Sequence, residues 1–184
     1  LAIDQGLIQP ATTLRDTAMG VSTYNPENYD RDYLGPISAT EALVRSRNIP
    51  AVWLTNQLRD PGLYAFLKAA EVKGLRDENF YGLALALGGA EVSLEDLMRL
   101  YAMLANGGKL QPLVFVTDER ARMTAGQPLL SPEAAYLTVE MLRANPRPSN
   151  DFSQSRVLHG VPAAWKTGTS FGFRDAWSLG IAGP

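Results

Sequence analysis

One change of periodicity constrains this chain more than any other feature. Between residues 38 and 145 the apolar residues recur at helical spacing, punctuated by caps and prolines. From 161 to 182 that spacing gives way to short extended runs with two tryptophans and many small residues. Helices followed by strands predict an α+β fold, in which a helical body packs against part of an antiparallel sheet. The expected division is 1–160, mainly helical, and 161–184, strands, both parts of one domain. With 46% hydrophobic and 20% charged residues, the 184-residue chain has the material for a core and none of the bias of a disordered one.

The punctuation places the helices. Ser38 stands three residues before Glu41, the spacing of a reciprocal cap, and the helix it opens must stop before Pro50. Pro50 suits the opening of a second helix, expected over 51–58, so Ser46-Arg47-Asn48 falls at a helix-to-helix turn. Asp60-Pro61 repeats the cap-then-proline signal for a helix with Leu63, Phe66, Leu67 and Ala70 on one face, ended by Gly74. Ser93 with Asp96 caps a helix running to Asn106-Gly107-Gly108, and Ser131-Pro132-Glu133 opens one running to Asn145, before Pro146 and Pro148. Residues 7–37, with Asn25-Pro26 and Gly35-Pro36, read as an irregular surface connection, and 150–154 as another loop. Leu1 to Gly6 reads as the last turn of a helix closed by Gly6, one that began upstream. Phe171-Gly172-Phe173 supplies the turn of a hairpin.

Several function classes fall away on composition. The absence of cysteine excludes disulfides, a thiol nucleophile, iron–sulfur clusters and cysteine-based zinc sites. A single histidine, His159, excludes the HExxH zinc motif, and its setting between Leu158 and Gly160 suits a structural or solvent-exposed residue better than a base. No metal or cofactor is expected. Seventeen basic and nineteen acidic residues give a net charge of −2, without a block of like charge, which argues against nucleic acid as a partner. The longest apolar stretch, 81–90, is broken by glycines and far short of the ~18 residues that span a bilayer.

Two short motifs carry chemistry. In Lys166-Thr167-Gly168-Thr169, alternation along a strand sends Lys166 and Gly168 to one face, and Gly168 removes a side chain that would block a ligand from lying along the edge. An extended peptide can bind there by strand addition, beside the positive charge of Lys166 and a Thr169 hydroxyl able to hold a carboxylate. The plainer reading is a solvated edge strand, on which lysine discourages aggregation. Ser46 and Asn48, two residues apart before a helix-breaking proline, can project into a cleft; the plainer reading there is helix capping. Residues 168–172 also spell GxSxG, but that pattern requires strand, turn and helix, with the histidine after the serine. Here a glycine turn and an extended run follow, and His159 precedes.

Taken in order, Ser46-x-Asn48, a helical region and Lys166-Thr167-Gly168 are two of the three motifs of a known signature, SxxK, SxN and KTG. The chain resembles the transpeptidase domain of penicillin-binding proteins. Residues 39–52 (ATEALVRSRNIPAV), 81–100 (YGLALALGGAEVSLEDLMRL) and 165–177 (WKTGTSFGFRDAW) are similar to the class A, bifunctional members, most like their 1C type. The resemblance implies part of the penicillin-binding protein and serine β-lactamase-like fold. It implies a D,D-transpeptidase that cross-links peptidoglycan stem peptides of lipid II-derived strands through an acyl-serine, and that β-lactams acylate. By position, Ser46 and Lys166 would join the proton network at the nucleophile, and Asn48 would hydrogen-bond the substrate amide. Thr167, Gly168 and Thr169 would bind substrate, with Thr169 adding a backbone amide to the oxyanion hole. The family also implies an anchor in the bacterial inner membrane, through a segment absent from this chain, and a catalytic domain on the periplasmic face.

The departure is SxxK. The lysines are Lys68, Lys73, Lys109 and Lys166, and three residues before them stand Ala65, Ala70, Asn106 and Ala163. The family pattern therefore puts the nucleophile in the helix whose end is read at Leu1 to Gly6, upstream of this chain, and the 184 residues alone are expected to be inactive. The competing reading is a non-catalytic peptidoglycan- or β-lactam-binding module of the same fold, which the upstream serine and lysine would discriminate.

Overall fold

The computed structural model describes residues 1–20, 24–116, 125–146, 162–170 and 174–183. The strands and helices run β1 (Thr13–Asp16), β2 (Gly35–Ser38), α1 (Ala39–Val44), α2 (Asn48–Gln57), α3 (Leu63–Ala69), α4 (Glu78–Tyr81) and a 3-10 helix (Gly82–Leu87). After these come α5 (Leu94–Ala105), β3 (Lys109–Leu110), β4 (Gln127–Pro128), α6 (Pro132–Arg143), β5 (Ala163–Thr169) and β6 (Ala176–Ala182). Among the described residues the strands form three antiparallel two-stranded ladders, β1–β2, β3–β4 and β5–β6. The fold is α+β, as the change of periodicity predicts.

Local signals set most boundaries. Ser38 Oγ accepts from the Glu41 amide, Ser93 Oγ from Asp96 and Ser131 Oγ from Ala134, so all three predicted serine caps open their helices. Pro132 sits in the first turn of α6, where no amide hydrogen is needed. At the start of the chain Leu7 N donates to Ala2 O and Gly6 N to Ile3 O, with Gly6 at φ +68°, the paired bonds that close a helical turn on a left-handed residue.

Other boundaries differ from expectation. Helix α2 begins at Asn48, not 51, and ends at Gln57, because Pro50 is tolerated anywhere in the first turn, where its missing N–H has no partner to lose. Asp60 does not cap α3: the Asp60-Pro61 bond is cis, and Gly62 takes the cap position with no side-chain bond. The same helix stops at Ala69, with Glu71 at φ +56°, before Gly74 is reached. Helix α6 stops at Arg143, short of Asn145. The segment 7–37 is not a plain surface connection, since it carries β1, most of β2 and six buried residues, Ile8, Leu14, Asp16, Pro26, Asn28 and Ile37. The short α4, the 3-10 turn after it and the β3–β4 rungs follow no periodicity long enough to read. His159, the loop at 150–154 and the Phe171-Gly172-Phe173 turn lie outside the described residues.

Among the described residues, three apolar clusters hold the elements. Ile8, Leu14, Ile37, Ala42 and Met141 join the β1–β2 ladder to α1 and α6. Val139, Leu142 and Ala164 join α6 to β5, with Leu43 and Ile181 packed against them. Leu43 thus borders both clusters and ties α1 to the β5–β6 hairpin. A third cluster, around Ala70, Val72, Met103 and Leu110, seats α3 on α5 and β3.

Candidate active site

Ser46 stands at the end of α1 in an unusual conformation. Ser46 N donates to Leu43 O (3.1 Å) and Arg47 N to Ala42 O (2.9 Å), the closing pattern whose left-handed position is normally glycine. Ser46 fills that position at φ +56°. The sharp reversal leaves its hydroxyl exposed and lets α2 begin two residues later at Asn48. Asn48 Nδ2 donates to Glu27 O (2.8 Å), while its Oδ1 accepts no hydrogen bond among the described residues. A carbonyl oxygen in that state can accept from the N–H of a peptide.

Lys166 arrives from the other side. In β5, residues Ala164, Lys166 and Gly168 share one face, and Ala164 is buried against α6 at 1% exposure. That contact aims the same face, two residues on, at the end of α1. Lys166 Nζ donates a hydrogen bond to Ser46 Oγ and another to Thr167 O (2.6 Å). Burial lowers the Lys166 amine from its ordinary value, because removing water disfavours the charged form. A lysine held toward neutrality and bonded to a serine hydroxyl is equipped to take and return a proton.

The rest of the strand end is open. Thr167, Gly168 and Thr169 are exposed, and a Cβ placed on Gly168 would meet nothing within 4 Å. β5 pairs only with β6 among the described residues, so its far edge is unpaired. Ser170 N donates to Asp175 O (3.0 Å) and Asp175 N to Ser170 Oγ (2.9 Å), which prolongs the hairpin beyond Thr169. Two cavities of about 350 and 370 Å³ lie elsewhere, and neither is lined by Ser46, Asn48 or Lys166.

Residues 1–177 match the family model described as the penicillin-binding protein transpeptidase domain. The chain belongs to the penicillin-binding protein transpeptidase domain family. It is 37% identical over 98% of its length to penicillin-binding protein 1C of Escherichia coli strain K12, of which it covers 23%. It is 29% identical over 97% of its length to penicillin-binding protein 1F of Bacillus subtilis strain 168, covering 26% of that protein. It therefore spans about a quarter of the length of the curated relatives it matches. Its fold matches a peptidoglycan glycosyltransferase structure from Burkholderia ambifaria at a TM-score of 0.76 and 20% identity, over 99% of this chain and 63% of that one. The class A assignment and the partial transpeptidase fold implied by the sequence both stand.

Of the motif residues in this penicillin-binding transpeptidase segment, Ser46 and Lys166 are in direct contact, and Thr167, Gly168 and Thr169 follow Lys166 along the same strand. Sequence reasoning missed what lies beneath them. Arg47, the unspecified middle residue of the Ser46-x-Asn48 motif, is 7% exposed, and its guanidinium reaches back to Asp16, Asp30 and Asp32. Nothing local announces this, because Asp16 and Arg47 lie 31 residues apart. Only the acid-rich run 27–32 hinted at a partner for a cation.

Proposed function

We propose that these 184 residues are part of one transpeptidase domain, 1–160 forming its body and 161–184 the strands that carry Lys166, in a class A penicillin-binding protein. In this reading the domain is a serine D,D-transpeptidase acting on peptidoglycan stem peptides ending in D-alanyl-D-alanine. The observation that carries it is the hydrogen bond from Lys166 Nζ to Ser46 Oγ, which joins the SxN and KTG motifs into one proton-transfer unit.

The nucleophilic serine belongs to an SxxK segment that these residues do not contain. Its hydroxyl proton is taken by a basic group as its oxygen attacks the carbonyl carbon of the penultimate D-alanine. The Lys166–Ser46 pair then delivers a proton to the departing nitrogen as the C–N bond breaks, releasing the last D-alanine. An amino group of a neighbouring stem attacks the acyl-serine, forms the cross-link, loses a proton to the same network and frees the serine. Asn48 Oδ1 accepts from the substrate amide, the edge of β5 takes the stem peptide as an added strand, and the Thr167 and Thr169 hydroxyls bind its terminal carboxylate. The Thr169 N–H serves the oxyanion, the kind of donor whose removal costs about 3 to 4 kcal/mol elsewhere. A β-lactam enters the same path, but its cleaved nitrogen stays tethered, so the acyl-enzyme persists. Burial lowers the Lys166 amine below its ordinary value, which eases the proton exchange that turnover needs.

The catalytic domain acts outside the cytoplasmic membrane, and the membrane anchor belongs to another part of the protein. The test is intact mass after incubation with excess penicillin. The intact protein should gain one drug mass on a serine of an SxxK segment, and the isolated 184-residue chain none. A stoichiometric adduct on Ser46 or Ser170, or no adduct on folded intact protein, would overturn the reading.

A further inference from the structure

We infer that Arg47, Asp16 and Asn28 form a positioning device that holds Ser46 and Asn48 in register with Lys166. The inference rests on the function proposed above and adds three residues to that site.

Arg47 Nε donates to Asp16 Oδ2 (2.7 Å), Nη1 to Asp30 Oδ2 (2.6 Å), and Nη2 to the Asp32 carbonyl. All three nitrogens of the guanidinium are therefore committed, to acceptors on two separate segments. Asp16 is 0% exposed and completes its shell with Leu34 N on Oδ2 (3.0 Å) and Asn28 Nδ2 on Oδ1 (2.7 Å). Asn28, 3% exposed, also donates to Asp32 O (2.9 Å), and its Oδ1 accepts from the Asn48 amide (2.9 Å). One asparagine thus caps the first turn of α2 and binds the carboxylate that holds Arg47. Asp16 is itself the last residue of β1, in register with Gly35 of β2, so the device is rooted in a ladder.

The geometry points to positioning because the anchored residues flank the motif side chains. Ser46 sits in a left-handed conformation that a serine leaves readily, and the next residue in the chain is clamped at three nitrogens. Asn48 is fixed through its backbone N–H, which leaves its side-chain oxygen for substrate. A buried ion pair gains little stability over well-packed apolar residues. What it supplies is direction, since a guanidinium accepts partners only in its own plane.

The experiment uses the intact protein with Arg47→Lys, which keeps the charge but loses the planar fork, and Asn28→Ala, which changes no charge. Two readouts are taken: hydrogen exchange of the amides at 45–49, and the acylation rate constant at saturating labelled penicillin beside the drug's dissociation constant before acylation. Positioning predicts roughly tenfold faster exchange confined to 45–49 and a roughly tenfold lower rate constant, with the dissociation constant within about threefold. A merely structural defect lowers the amount of protein that takes label, not the rate constant of the protein that does. If Arg47→Lys does not fold, Asn28→Ala decides alone. Folded variants with wild-type exchange at 45–49 and a wild-type rate constant would overturn the inference. If wild-type protein takes no label, the proposed function fails, and exchange at 45–49 by itself upholds or overturns the anchor.

Discussion

Lys166 Nζ and Ser46 Oγ are hydrogen-bonded across 120 residues of chain. The contact is set by packing as much as by the two side chains. Leu43, three residues before Ser46, and Ala164, two residues before Lys166, belong to the same apolar cluster with Val139 and Leu142 of α6. Each half of the site is thus one short step from a shared core.

Replacing Lys166 by alanine in the intact protein should lower the acylation rate by about 10²- to 10⁴-fold, the range supplied by a positioned acid–base group. The fold should persist, because Lys166 is half-exposed and its amine bonds, among the described residues, Ser46 and the adjacent Thr167 carbonyl. Labelling kinetics beside a thermal melt check this; unchanged labelling would remove Lys166 from the mechanism.

The pH dependence follows from desolvation of the same amine. Burial holds its folded pKa below the ordinary 10.5, so the folded protein loses this proton at lower pH than the unfolded chain. Between those two values the unfolded state binds more protons, and stability rises with pH. Wild type should therefore gain stability relative to Lys166→Met across that interval and stop gaining above 10.5. Acylation, in which this pair gives a proton to the departing nitrogen, should fall as Lys166 loses its proton, with a midpoint below 10.5; a midpoint at or above it would contradict the desolvation.

Ser46→Gly and Ser46→Ala both remove the hydroxyl but differ in backbone freedom. At φ +56° glycine is unstrained and alanine is not, so the glycine variant should be more stable by about 1 kcal/mol, or ~2–4 °C in melting temperature. Both should lose acylation to a similar degree. Equal melting temperatures would show that the left-handed turn is not what this position costs.

Gly168→Val separates access from stability. The added side chain points into open space and suits a strand, so the melting temperature should stay within about 2 °C of wild type. It would also stand on the face where substrate must lie, and the apparent affinity for penicillin should fall at least tenfold. Full-strength binding would place the ligand elsewhere.

Ala164→Leu tests the shared core. Ala164 is 1% exposed between β5 and α6, and overfilling it should cost about 2 kcal/mol, with melting lowered by about 4–8 °C. Because the strand must move away from α6, acylation should fall in the folded protein too. Stability lost without any loss of rate would mean that Lys166 is placed by something other than this contact.

Legibility in the sequence followed range. The serine caps at Ser38, Ser93 and Ser131, the closing turn at Gly6 and the β5–β6 hairpin were readable because each rests on neighbours a few residues apart. The opening of α3 was misread, because proline after an acidic residue marks either a helix start or a turn, and only the surroundings choose. The role of Arg47 was unreadable, because its acceptors come from segments that approach it only in the folded chain.

By itself the sequence determined the α+β class, the family through its SxN and KTG wording, and the candidate residues Ser46, Asn48 and Lys166. Those follow from local periodicity, capping and short motifs, which the order of residues carries directly. Tertiary structure alone decided that Lys166 meets Ser46, that Ser46 takes a left-handed conformation, and that Asp16 and Asn28 sit buried beneath the motif. The physical reason is that hydrogen bonds and ion pairs are selected by distance in space, and only burial of Leu43, Leu142 and Ala164 in one core brings those distances about.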